Sequence, residues 1–114
     1  MTIREMIIKY QNEISNENDL TPDRASEILV KLSALLGNIA DEITRTEVAY
    51  NRVLLEKLNS ETKANRAKIL AETTSEYEEK LNARNTKEVA IELIRSLKYF
   101  LKAKEDEYRH SSNL

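Results

Sequence analysis

The chain has no cysteine, no tryptophan, one glycine, one proline and one phenylalanine among its 114 residues. Without cysteine there is no disulfide framework and no thiolate chemistry, which fits a reducing compartment. One glycine and one proline leave almost no punctuation for tight turns, so a sandwich or barrel of many short strands is excluded. A single glycine also rules out the phosphate-cradling loops GxxxxGK[ST] and GxGxxG, and no HExxH occurs. Long apolar runs are missing too. None exceeds three residues, Met6-Ile7-Ile8 and Ile28-Leu29-Val30 being among the longest, which is too short for a membrane span or a signal peptide. A soluble chain without membrane contact is therefore expected. What fills the sequence is charge, 33%, and apolar side chains, 40%, the composition of long amphipathic helices. The fold class this implies is all-α, a helical hairpin or bundle of coiled-coil character, forming a single domain over residues 1–114.

Helix starts are marked locally. Thr2 with Glu5 has capping-box spacing, and Ile3, Met6, Ile7, Tyr10 and Ile14 recur at helical intervals, predicting a first helix over 3–15. It ends in the short polar run Ser15-Asn16-Glu17-Asn18-Asp19, whose side chains compete with the helix for backbone hydrogen bonds. Thr21-Pro22 opens the next, with Thr at the N-cap, Pro at the first helical position and Asp23 where the helix dipole favours an anion. From there Ala25, Ile28, Leu29, Leu32, Leu35, Leu36, Ile39, Ala40 and Ile43 form a wide apolar stripe. Gly37 within it costs about 1 kcal/mol relative to alanine, and close approach of another helix is the simplest explanation, with a hinge as the alternative.

The pattern continues through Tyr50, Val53, Leu54 and Leu58 to Ala64, Ala67, Leu70, Ala71, Tyr77 and Leu81. One helix over 22–82, about 90 Å long, is predicted, with a break near Asn59-Ser60-Glu61-Thr62 as the alternative, Ser60 then capping the new helix. A stronger break is predicted at Asn82-Ala83-Arg84-Asn85-Thr86, where Asn85 and Glu88 repeat the capping-box spacing. The last helix then runs over 86–110, with Val89, Ala90, Leu93, Ile94, Leu97, Phe100, Leu101 and Tyr108 on its apolar face, and ends at Ser111-Ser112-Asn113. It should fold back antiparallel on the long helix, with the first helix near residues 25–43. Two shorter helices cannot cover one long stripe, so a homo-oligomer is expected, with Leu29, Leu32, Leu36, Ile39 and Ile43 as its core stripe.

The net charge of -2 is unevenly spread: residues 45–68 hold six basic and three acidic side chains, whereas residues 1–44 hold four and eight. No catalytic constellation stands out. His110 has no partner at metal or triad spacing, and the acidic cluster Glu76, Glu78 and Glu79 reads as a solvated face with an i,i+4 pair between Glu76 and Lys80. No enzyme activity, cofactor, metal or small-molecule substrate is indicated. The informative feature is cationic. At 100° per residue, Lys87, Arg95, Lys98, Lys102 and Arg109 fall within about 80° on the last helix, and Arg45, Arg52, Lys63 and Arg66 within about 60° on the long helix if it is continuous. Such stripes suit phosphates or an acidic partner. Glu105 and Glu56 interrupt them and no aromatic lies among the cations, which suits a salt-bridged solvated surface instead. Tyr10, Tyr50 and Tyr108 read as core residues; Tyr99 lies off the apolar face, a contact or boundary residue.

From about Ala49 to Asn113, with Ser75-Glu76-Tyr77 in the middle, the run Ile94-Arg95-Ser96-Leu97-Lys98-Tyr99 and the closing Glu105-Asp106-Glu107-Tyr108-Arg109, the chain resembles a family of small all-helical proteins of tailed bacteriophages. Residues 1–44 fall outside the resemblance. It implies a phage or prophage origin, a place among early proteins of DNA replication and recombination, and the host cytoplasm or the virion as location. DNA or a nucleoprotein is the partner so implied. A virion component or an inhibitor of a host machine is the alternative.

Overall fold

Thr2 and Thr21 each begin a helix by the same device. The Thr2 hydroxyl accepts the Glu5 N–H at 3.1 Å, and the Thr21 hydroxyl accepts the Arg24 N–H at 3.1 Å, each satisfying one of the free donors of a first turn. The computed structural model describes residues 1–16, 19–61 and 63–112, the last by its backbone. Glu17, Asn18, Thr62 and Asn113, which the sequence places in helix-ending stretches, lie outside the described residues. The described residues form four α-helices: α1 (Ile3–Ser15), α2 (Pro22–Ser60), α3 (Ala64–Ala71) and α4 (Ser75–Ser112). The structure is 91% helical and, among the described residues, has no strand; the long helices α2 and α4 are in contact, as in a helical hairpin or bundle.

Two predicted features of the connections are corrected. The break at 82–86 does not occur, because α4 passes through it. Ala83 and Thr86 are buried there, and the Thr86 hydroxyl donates to the Asn82 carbonyl at 2.8 Å, so burial outweighs the capping signal of Asn85. The chain breaks instead at Glu72-Thr73-Thr74. The Thr73 and Thr74 hydroxyls donate to the Leu70 and Ala71 carbonyls at 2.7 and 2.6 Å, taking up acceptors that end α3. Near residue 60 the chain also breaks, though Ser60 does not cap the next helix. It closes α2, donating to the Lys57 carbonyl at 3.2 Å, and Lys63 is the N-cap of α3 without a side-chain capping bond.

The chain divides into two compact units, Met1–Leu36 with Glu88–Leu114, and Gly37–Lys87. In the first, Ile7 and Tyr10 of α1, Ala25, Ile28 and Leu32 of α2, and Ala90, Leu93, Ile94 and Leu97 of α4 are buried. Arg24 joins α2 to α1 through Glu13, with Nε and Nη2 donating to the two carboxylate oxygens at 2.5 and 3.0 Å. The Arg24 guanidinium holds the Glu13 carboxyl below its usual range. In the second unit the buried set is Ile39, Thr46 and Tyr50 of α2, Ala67 and Ala71 of α3, and Ala83 and Thr86 of α4. Tyr50 and Tyr77 rings lie 5.2 Å apart between centroids, and the Lys80 ammonium stands 4.4 Å over the Tyr50 ring rather than pairing with Glu76. Arg84 bonds Glu47 at 2.7 Å across α4 and α2, lowering the pKa of that carboxyl.

Of the candidate oligomer stripe, Leu32 and Ile39 are buried and Leu29, Leu36 and Ile43 half-buried within the single chain. Gly37 is exposed, and a Cβ built on it would meet nothing within 4 Å. Among the described residues the close helix approach expected there does not occur. Leu58 and Leu81, expected on the core stripe, are exposed as well.

Candidate functional site

The cations of α4 sit on a helix whose opposite side is anchored by Ala90, Leu93, Ile94 and Leu97, all buried. That anchoring turns Arg95, Lys98 and Lys102 outward, and all three are exposed. With Tyr99 they line one shallow depression of about 190 Å³. Tyr99 is 77% exposed, which corrects the expectation that no aromatic lies among these cations. Residues three and four apart are surface neighbours on a helix, so the ring stands between Arg95 one turn before it and Lys102 one turn after it.

The surrounding charge is of one sign. From Leu93 to Lys104 the sequence has Arg95, Lys98, Lys102 and Lys104 and no acidic residue. Acids return on either side and pair with the outer cations: Arg95 with Glu92 at 2.6 Å, Lys104 with Glu107 at 3.5 Å, and Arg109 with Glu105 at 2.6 Å. Lys98 and Lys102 have no ion pair among the described residues. Lys104 also faces the Phe100 ring, 5.7 Å from its centroid. These pairs are solvent-exposed and worth little to stability, so an incoming anion can displace the acids at small cost.

Lys87 belongs to the unit Gly37–Lys87, and Arg95, Lys98, Lys102 and Arg109 to the other. The second stripe does not form, since α2 ends at Ser60 and Lys63 and Arg66 lie at the start of α3; Arg45 pairs with Glu42 at 2.6 Å and Arg66 with Glu61 at 3.5 Å. His110 is exposed in the last turn of α4. Tyr108, expected in the core, is 76% exposed; every residue of α4 from Lys102 to Ser111 is exposed, and none of the described helices covers that stretch. Among the described residues no group of three or more His, Asp or Glu side chains is placed to hold a metal ion, and no helix is long and apolar enough to cross a membrane.

Compared with known proteins, the chain matches no family model, no curated protein and no solved structure.

Proposed function

We propose that the protein is a non-enzymatic helical interaction module that binds single-stranded nucleic acid through the α4 surface around Tyr99. The observation that carries this reading is one exposed aromatic ring set among Arg95, Lys98 and Lys102, in a stretch without acids. Cations that follow the phosphates and an aromatic face that accepts any base are the two elements of sequence-tolerant single-strand binding. Double-stranded DNA fits less well, since its bases are already stacked and offer Tyr99 no face. The resemblance of residues 49–113 to tailed-phage proteins supplies a setting, phage DNA replication or recombination, in which single strands are exposed.

The test is fluorescence anisotropy of a labelled oligonucleotide over a range of salt. Three phosphate contacts give a logarithmic salt slope of about -2, at about -0.7 per phosphate for single strands. Changing Arg95, Lys98 and Lys102 together to Glu should abolish binding with helicity unchanged. Tyr99→Ala should weaken binding while leaving the slope in place, since stacking releases no counterions. If the unchanged protein binds neither single nor double strands at low salt, the nucleic-acid reading fails and an acidic protein surface becomes the partner of the stripe.

A further inference from the structure

In the second unit α2 has two apolar sides, and the chain covers one of them. At 100° per residue, Ile39, Thr46 and Tyr50 fall within about 40° of one another, whereas Val48, Asn51, Leu55 and Leu58 lie about 100 to 180° away from Ile39. The first three are buried; Val48, Leu55 and Leu58 are 44%, 59% and 42% exposed. Their spacing of three, four and three residues is that of alternating a and d positions of a heptad, Val48 and Leu55 at a, Asn51 and Leu58 at d.

The charges beside this seam select its occupant. Glu47 precedes Val48 at a g position, and Arg52 follows Asn51 at an e position, so the seam has an acidic edge and a basic edge. In a parallel, in-register pair of α2 helices each g position faces the e position five residues further along the other helix, which sets Glu47 of each chain against Arg52 of the other. An antiparallel pair would set Arg52 and Arg45 of the two copies on one edge and the two Glu47 side chains on the other, like charge against like. Arg52 has no ion pair among the described residues, and Arg84 engages Oε1 of Glu47, leaving Oε2 for a second cation. We infer that this face of α2 is a self-association surface whose occupant is α2 of a second copy of the chain, parallel and in register. It does not rest on the nucleic-acid reading, and it replaces the stripe around Leu32 and Ile39, which the chain itself covers, as the site of assembly.

Sedimentation of the full chain from low micromolar to hundreds of micromolar concentration should show the mass rising from one copy toward two. Leu55→Asp, at an exposed position, should weaken association at least tenfold with an unchanged circular dichroism spectrum. Because the chain has no cysteine, Val48→Cys gives a single thiol. A disulfide needs Cα atoms within about 7 Å, so mild oxidation should cross-link counterpart positions of a parallel in-register pair. Arg52→Glu and Glu47→Arg should each associate poorly alone and recover when mixed. A single-copy mass at every concentration overturns the inference, as does a dimer in which Val48→Cys fails to cross-link or Leu55→Asp associates like the unchanged chain.

Discussion

The unit formed by Met1–Leu36 and Glu88–Leu114 buries Ile7, Ile28, Leu32 and Leu97 to 2% exposure or less, whereas among the described residues of the unit Gly37–Lys87 only Ile39 and Thr46 of the larger side chains reach that level. The rest of the second unit's buried set is mainly alanine, with the Tyr50 ring against that of half-buried Tyr77. Burying a leucine or isoleucine side chain contributes about 1.5–3 kcal/mol, and a methyl group less than about 1 kcal/mol. The two units share α2 and α4, so the difference lies in the side chains and not in the scaffold. Small side chains let helices approach closely but leave little apolar area to bury. Of the second unit's other bulky residues, Ile43, Val53, Leu54 and Leu70 are half-buried, and Val48, Leu55 and Leu58 on α2, Ile69 on α3 and Leu81 on α4 are exposed. The first unit is therefore built on fully buried aliphatic side chains, and the second mainly on small ones.

Substitutions can break this contrast at graded depth. Ile28→Ala or Leu32→Ala removes a fully buried side chain from the first unit and should destabilise by about 2–5 kcal/mol in urea unfolding. Ala71→Leu overfills the second unit, where the alanine has no exposure, and should cost about 1–3 kcal/mol, with the loss confined to the transition of that unit if the two melt separately. Gly37→Ala should do the opposite. The glycine has helical backbone with no positive φ and open space beside it, so alanine should stabilise by about 0.5–1 kcal/mol in the same assay. A loss of stability there would show that another helix does rest on Gly37.

The smallest effect concerns pH. The Arg24 hydrogen bond depresses the Glu13 pKa in the folded chain, so the contribution of Glu13 is present above the unfolded carboxylate value, about 4.3, and is lost as pH falls through the depressed folded value. Glu13→Gln lacks that contribution at every pH. Its melting temperature should lie below that of the unchanged chain at neutral pH and converge with it below about pH 4.

Much of the fold is legible because its signals are local. Thr2 and Thr21 mark helix starts through bonds to residues three positions on, and the 3.6-residue period of the apolar side chains carries the class. The breaks are less legible. Asn85 and Glu88 have the spacing of a cap, yet Ala83 and Thr86 are buried, a matter of tertiary packing that the local sequence does not show. At 72–74 the signal is present, three consecutive hydroxyl residues Thr73, Thr74 and Ser75, but such residues are tolerated inside helices and mark an end only when their hydroxyls capture the last carbonyls. The cations Arg95, Lys98 and Lys102 could be grouped on a helical wheel. Tyr99 could be placed off the apolar face as a contact or boundary residue, about 40° from Arg95, but the depression it shares with Arg95, Lys98 and Lys102 comes only from the structure. Leu58 reads as core because Val53 and Leu54 adjoin it, and only the burial of Tyr50 on the other side separates the two faces of α2.

Hydrogen exchange of backbone amides, followed at a concentration below that of association, compares the two units directly. Amides of α3 and of residues 75–87 should open at lower free energy than those of residues 25–32 and 90–97, because alanine and threonine burial stabilises the second unit less than isoleucine and leucine burial stabilises the first. Equal protection across both units, or greater protection in Gly37–Lys87, would contradict the account.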